Sequence, residues 1–336
     1  MFNYKEAGSD ILVTGDIHIN SKKYPEFERN RVIAYANILR EHVGVIILAG
    51  DIFDLPKPTF VDIALFYEFI EIISTNSHIY VISGNHEVFN KEQTVYDFLP
   101  ATSFSYIKSS VLNFGKTSLF LIGHPYIEAA LNTLPLNNTN ILVSHYRSRI
   151  AFADEELDNK AVSERFDFTV LSDIHKKMVV SDNIQYTASP YSINFENIVD
   201  TVGQFGYTII SLKGEGEFDI LQKTTDLPCK YRVDLDFDEI DYWVKQFSRM
   251  PQHLFKVVLS YYPVSEETTR KLTNLPNVIA VISNPPDVKT DSVEEIVDSL
   301  KDGQVNNLID IIDDNVTVNL DNSVPSCKDE LRGLLS

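Results

Sequence analysis

The sequence predicts an α/β fold: a mostly parallel sheet with helices on its faces, and a second sheet packed on the first as a layered sandwich. Three observations predict it. Short apolar runs alternate with helical patterns through the first hundred residues, the order of successive βαβ units. After Pro100 strand-like runs follow one another. The early apolar runs end in Gly-Asp or Gly-Asn, and the carboxyl ends of strands are where open α/β sheets gather functional groups.

In chain order, Ile11–Thr14 reads as a strand that ends at Gly15-Asp16. Phe27–Val43 reads as a helix, because Val32, Tyr35, Ala36 and Leu39 recur at i, i+3, i+4, i+7. Val45–Ala49 is a buried strand ending at Gly50-Asp51, a second helix runs over about Thr59–Ile73, and Ile79–Ser83 is a strand ending at Gly84-Asn85-His86. Leu119–Ile122, Ile141–Ser144, Phe168–Leu171, Met178–Val180, Ile184–Thr187 and Tyr207–Leu212 are expected to build the second sheet, with Glu217–Gln222 closing a domain over 1–226. A small α/β unit follows over 230–286. It has strands at Tyr231–Phe237, Leu254–Tyr261 and Val278–Ile282, and helices at Glu239–Phe247 and Glu266–Leu272. Asn284-Pro285-Pro286 marks a linker. Beyond it, 287–336 holds 12 acidic and 4 basic residues, with apolar stripes at helical spacing such as Val293, Ile296, Val297 and Leu300.

The formal charge is −19, from 29 basic and 48 acidic residues. That balance excludes a free-standing, non-specific DNA binder, whose grip comes from Lys and Arg neutralising phosphates. It does not exclude a nuclease, since bound cations bring local positive charge. The longest apolar runs are of strand length, so no membrane span is expected. No signal peptide is expected either, and the two cysteines, Cys229 and Cys327, cannot form a disulfide framework. The expected location is cytoplasmic.

Five segments carry candidate chemistry: GDIHIN with Asp16 and His18, GDIFD with Asp51 and Asp54, GNHE with Asn85, His86 and Glu87, VSHY with His145, and SDIH with Asp173 and His175. Asp16 and His18 are two apart, as are Asp173 and His175, so each pair shares a face of extended backbone. Taken singly, each segment is an ordinary strand-end turn. Together, in this order, they predict a metal site. A set of carboxylate, imidazole and amide oxygen suits borderline ions such as Mn²⁺, Fe²⁺ or Zn²⁺ better than Mg²⁺ alone. Two ions about 3.5–4 Å apart can clamp a phosphate and activate water, with the central Asp51 as their bridge. His86 is placed to donate a proton to a leaving oxygen, and Asp54 to orient the His86 ring and keep it charged. Glu87 is expected beside the site.

These segments resemble the calcineurin-like metallophosphoesterase superfamily. Within it, GDIFD, the stretch NIQYTASPYSINFE (183–196) and the α/β appendage resemble the SbcD-type DNA nuclease subunit. The resemblance implies a four-layer αββα sandwich with a small cap domain. It also implies that Asp16, His18, Asp51 and His175 hold one ion and that Asp51, Asn85, His145 and residue 173 hold the other. Further implications are two divalent cations, Mn²⁺ foremost and Mg²⁺ as an alternative, and 3′-to-5′ exonuclease with endonuclease activity on DNA ends. The implied partners are a coiled-coil ATPase of SbcC type and a second copy of the chain. The dimer would form through helices near Phe60–Phe69 and Glu92–Phe98. One departure stands out: Ser172-Asp173-Ile174-His175 replaces the usual G-H-x-H, so a carboxylate stands where an imidazole is expected. On charge alone Asp173 makes the site more acidic and tilts it toward harder ions.

Lys22, Lys23, Arg147, Arg149, Lys176 and Lys177 lie on the motif loops and read either as DNA-backbone contacts or as solvated charges. The acidic tail reads either as an amphipathic helix for the ATPase or as one packed on its own domain. A stand-alone phosphatase or small-molecule phosphodiesterase is the competing function on the same scaffold.

Overall fold

The structure is a computed structural model that describes residues 10–90, 93–126, 139–147, 158–201, 203–260 and 264–283. The acidic tail, Arg149, Glu92 and the Asn284-Pro285-Pro286 linker lie outside the described residues. In order, the elements are β1 (Asp10–Thr14), α1 (Pro25–Leu39), β2 (Gly44–Ala49), α2 (Phe60–Ile73), β3 (Ser77–Ile82), β4 (Ser105–Tyr106), β5 (Ser109–Phe114), β6 (Thr117–Ile122), β7 (Thr139–His145), α3 (Asn159–Arg165) and β8 (Phe168–Ser172). They continue with β9 (Met178–Ser181), β10 (Ile184–Tyr186), β11 (Glu196–Asn197), β12 (Gly206–Gly214), β13 (Glu217–Thr224), β14 (Lys230–Leu235), α4 (Ile240–Arg249), β15 (Leu254–Leu259), α5 (Glu266–Thr273) and β16 (Val278–Ser283).

Among the described residues the strands form three sheets, ordered β13-β12-β1-β2-β3-β4, β5-β6-β7-β8-β10-β9 and β11-β14-β15-β16. In the first, β1 to β4 run parallel while β12 joins β1 antiparallel. In the second, β6, β7, β8 and β10 are parallel. Strand β2 shows why this stacks. Every residue of Val45–Ala49 is buried, with Val45 and Ile47 facing the second sheet and Ile46 and Leu48 facing the helices. A strand apolar on both faces needs a layer on each. Leu119, Leu121, Ile141, Val143 and Val170 close the inter-sheet core from the other side. Helices α1 and α2 cover the first sheet, and Val162 and Phe166 cover the outer face of the second. The result is the expected αββα sandwich.

Helix α2 starts on a capping box that also fixes a site loop. Asp62 accepts from the Thr59 backbone N–H at 2.9 Å, and its other oxygen accepts from Ser21 N–H at 2.7 Å, just beyond His18.

Two expectations change. Tyr207–Leu212 lies in β12, which belongs to the first sheet rather than the second. It extends the β1 edge by antiparallel pairing, Ile11 opposite Ile210, and period-2 burial alone cannot say which sheet a strand joins. Helix α1 spans Pro25–Leu39, not Phe27–Val43, because Arg40 caps it and Val43 is solvent-exposed. The third sheet is fully parallel and has its own core around Val233, Leu235, Phe247, Phe255, Val257 and Leu272. It is tied to α1 through Glu28, whose buried carboxylate takes both Lys230 Nζ at 2.6 Å and Arg31 Nε at 2.7 Å. Among the described residues no helix is long and apolar enough to cross a membrane.

Candidate metal centre

The five motif loops meet at the carboxyl ends of β1, β2, β3, β7 and β8. Beyond the β1 and β2 strand ends the two loops stay paired, Asp16 N–H to Gly50 O at 3.0 Å and His18 N–H to Asp51 O at 3.0 Å. Asp16, His18 and Asp51 have φ near +50° and Asp173 has φ +104°. Such left-handed geometry costs a non-glycine residue about 1–3 kcal/mol and is retained where the side chain is needed. Two glycines make room. A Cβ on Gly50 would lie 2.6 Å from His145 Nδ1, and one on Gly84 would collide with the Asp51 carboxylate and lie 2.5 Å from Asp51 N. Their small size therefore clears space for ligand side chains and not only for an ion and its substrate.

Asp51 is the hub. Its Oδ2 lies 3.6 Å from His18 Nε2, 3.4 Å from His145 Nε2 and 3.9 Å from His86 Nε2. Asp16, His18 and His175 converge as one set of potential ligands, and Asp16, Asp51 and His145 as another. Ring orientations are set from behind. His145 Nδ1 meets Ala49 O at 3.0 Å, and His18 Nδ1 meets Asp54 Oδ1 at 3.1 Å. Both therefore present Nε2 to the centre, as outer-shell bonds do at metal sites. Asn85 brings its amide 3.1 Å from His145 Nε2. With its nitrogen turned to Asp51, it donates to that carboxylate at 3.0 Å.

The donor set fits a cation. Among the described residues Asp16 Oδ1 and His18 Nε2 are buried and find no hydrogen-bond partner, and buried polar atoms are seldom left so. The local field agrees. Burial pushes the His145 imidazole down, but Asp51 first, then Asp16 and Asp173, raise it to about 10. His18 is likewise depressed by burial, but its bond to Asp54 and the charges of Asp51, Asp16 and Asp54 bring it above its ordinary value. Burial opposes ionisation of Asp51, yet His145, His18 and His86 hold its carboxyl well below the ordinary range. For His175, burial dominates and the ring is pushed down, helped by the neighbouring His18.

Two roles expected from the motifs change under this geometry, each for a reason of position. The Asp54 carboxylate reaches His86 only at long range, Oδ1 lying 4.0 Å from His86 Nδ1. That group takes His18 and, at 2.6 Å, Asn20 Nδ2. It is the Asp54 carbonyl that meets His86 Nδ1, at 2.6 Å. Asp173 does not simply add negative charge, because Arg147 pairs with it: Nε to Oδ2 at 2.8 Å and Nη2 to Oδ1 at 3.3 Å. Of the basic residues, Lys22 and Lys23 are exposed. Lys176 pairs with Glu196 at 3.1 Å, and Lys177 donates to Thr224 at 2.8 Å.

Sequence reasoning missed how central Glu87 is. It is fully buried, and its carboxylate accepts from the backbone N–H of Asp51 and Phe53 at 2.9 Å and of Gly84 at 2.7 Å. It thus braces the two loops carrying Asp51 and Asn85. Burial first, then the Asp51 charge, pushes its carboxyl up to about 7. The one signal in sequence was a carboxylate directly after GNH. Ser172, whose hydroxyl donates to Asp16 Oδ2 at 2.7 Å, was also missed. A cavity of about 260 Å³ opens beside His18 and Asp54, lined also by Lys23, Tyr24, Phe195 and Lys230.

A fold of this layering with a carboxylate-imidazole cluster at its strand ends defines a metallophosphoesterase. The calcineurin-like phosphoesterase family model matches residues 9–176, and the chain belongs to that family. Among solved structures it is similar to an archaeal phosphodiesterase, with 14% identity over 64% of this chain and 99% of the other and a TM-score of 0.33. It is also similar to the Escherichia coli phosphoesterase Yfce, with 13% identity over 65% of this chain and 100% of the other and a TM-score of 0.29. No curated protein sequence matches the chain.

Proposed function

We propose that the chain is the nuclease subunit of a DNA end-processing complex, hydrolysing phosphodiesters with two divalent cations. The observation that carries the hydrolytic reading is Asp51 Oδ2, faced by the Nε2 atoms of His18, His86 and His145. It stands beside the unpartnered Asp16 Oδ1 and His18 Nε2. In this reading Asp16, His18, Asp51 and His175 hold one ion, and Asp51, Asn85, His145 and Asp173 hold the other. The mixed oxygen and nitrogen set favours Mn²⁺, with Mg²⁺ the alternative. When bound, such ions polarise the phosphate and lower the pKa of water.

The remaining work falls to the chain's own residues. The Asp54 carbonyl fixes His86 through Nδ1 and leaves Nε2 directed into the centre, where it can protonate the leaving oxygen. The Asp54 carboxylate orients His18. Exposed Lys22 and Lys23, the latter lining the cavity beside His18, are the described cations that would meet a DNA backbone together with Arg147, Lys176 and Lys177. DNA specificity rests on the motif resemblance and on the third sheet next to NIQYTASPYSINFE. A coiled-coil ATPase would supply the grip that a −19 chain lacks. Phe60, Val61 and Phe98, all exposed, are apolar residues that a homodimer would cover.

A second reading, a small-molecule phosphodiesterase, is favoured by the cavity beside His18 and Asp54, which is of a size for a compact leaving group. Manganese-dependent digestion of linear duplex DNA, compared with a chromogenic phosphodiester, separates the two. Wild type should cut DNA and the His86→Ala protein should lose at least about a hundredfold. Turnover of the ester with DNA left intact would favour the second reading.

A further inference from the structure

The cavity of about 260 Å³ beside His18 and Asp54 has one aromatic wall and a charged floor. The wall is Tyr24, which immediately precedes α1, and Phe195, which immediately precedes β11. Their rings meet edge to face with centres 6.4 Å apart. Both are half-buried, and among the described residues neither packs into a core of the sandwich or of the third sheet. Aromatic surface placed beside a reaction centre but outside every core is available to a flat, apolar ligand group.

The floor carries an excess of positive charge. The buried Glu28 carboxylate is shared, Oε2 taking Arg31 Nε at 2.7 Å and Oε1 taking Lys230 Nζ at 2.6 Å. Two cations thus face one carboxylate. Arg31 is the better satisfied, since it also donates to Ser192 O at 2.8 Å and lies 4.0 Å from the centre of the Tyr191 ring. For Lys230, burial first and then the Arg31 charge push the ammonium pKa down in spite of Glu28. Lys23 brings a third cation, its Nζ 5.6 Å from the Tyr24 ring centre. Against these three stand Glu28 and Asp54, so the recess is net positive in a chain of charge −19. An anion beside Lys230 would relieve that imbalance.

We propose that this recess seats the nucleoside whose oxygen leaves, with its base on Tyr24 and Phe195 and the next phosphate along the strand at Lys230 and Lys23. This rests on the nuclease reading above. The side of the centre is set by His86, whose ring lies 4.7 Å from that of His18 and whose Nδ1 meets the Asp54 carbonyl. Both His18 and Asp54 line the recess. As the phosphorus–oxygen bond breaks, its electron pair stays on the nucleoside oxygen, His86 supplies the proton, and the oxygen of water remains on phosphorus. Size limits the occupant: pockets for drug-sized ligands start near about 300 Å³, so this recess takes one base and not a base pair. Stacking is tolerant of sequence because every base has a π-face. The recess therefore reads the presence of a base, not its identity.

The test is manganese-dependent release of the 3′-terminal nucleotide from three single strands of oligothymidylate. One is unmodified, one is abasic at the residue next to the 3′ end, and one has a neutral methylphosphonate linkage on the 5′ side of that residue. Wild type should favour the unmodified strand over the abasic one by about tenfold or more in kcat/KM. Tyr24→Ala and Phe195→Ala should each cut that ratio by at least about threefold, while Tyr24→Phe, which keeps the ring, should retain it. Lys230→Met should lose the preference for the charged linkage over the neutral one. Each ratio is taken within a single variant, so damage to folding or to the metal centre lowers both rates and cancels, as would a merely structural role for the two rings. Strands cut with either wild-type ratio near one, or with a ratio that its variants retain, overturn the inference and leave the nuclease reading standing. A wild type that cuts neither these strands nor linear duplex DNA, yet turns over a chromogenic phosphodiester, overturns that reading and the inference with it.

Discussion

Replacing Glu87 should separate the two things its carboxylate does. In Glu87→Ala the backbone N–H groups of Asp51, Phe53 and Gly84 lose their acceptor. Each buried donor so stranded costs about 1–3 kcal/mol. Against this, the carboxyl is raised to about 7, a displacement worth roughly 3 kcal/mol of relief once the ionised group is removed. The net expectation for Ala above pH 7 is a loss of up to about 6 kcal/mol, centred near 3 kcal/mol.

Glu87→Gln keeps an oxygen for the two N–H groups that share Oε2 and fails only Phe53 N–H. It should stay within about 2 kcal/mol of wild type at pH 8. The pH sign follows from linkage. A carboxyl raised on folding favours the folded state at low pH, and that advantage is lost as pH rises from the unfolded value through the folded one. Glutamine does not titrate, so the stability of Glu87→Gln relative to wild type should improve between pH 5 and pH 8, by up to roughly 3 kcal/mol. Urea unfolding with chelator present, at both pH values, measures this. Alanine as stable as glutamine at pH 8, or a pH-independent Gln-to-wild-type difference, would refute the reasoning.

Three further outcomes follow from the same geometry. Gly84→Ala drives a methyl into Asp51, so it should cost about 1–3 kcal/mol and abolish the exchange-coupled signal of two neighbouring Mn²⁺ ions, which manganese titration with electron paramagnetic resonance would show. His145 keeps its proton up to about pH 10 without metal, and a ligand nitrogen must be bare. Loading should therefore release at least one proton and strengthen as pH rises from 6 to 9; calorimetry in buffers of different ionisation enthalpy that found no release would contradict this. Glu28→Ala strands the fully buried Arg31 and frees Lys230, so thermal unfolding should show a loss of about 3–5 kcal/mol.

Much of this protein is legible from the chain alone. Strand-length apolar runs ending in Gly-Asp or Gly-Asn give both the sheet and the line of functional side chains. Periodicity and turn chemistry are local, and the alignment of Asp16, His18, Asp51 and Asn85 needs only the rule that parallel strand ends share one edge of a sheet. His145 and His175, in contrast, follow strands of the second sheet and reach the others only because the two sheets stack. What local pattern cannot carry is the identity of partners distant in sequence. Which sheet β12 joins depends on pairing across some two hundred residues. That Asp54 serves His18 by its carboxylate and His86 by its carbonyl depends on a loop path. Glu87 reads as one more acid beside the site until burial shows it bracing three backbone N–H groups. Asp173 reads as extra negative charge until the β7–β8 register sets Arg147 beside it. Charge counted along a sequence is additive, whereas the charge an ion feels depends on which groups are neighbours in space, and only the tertiary structure decides that.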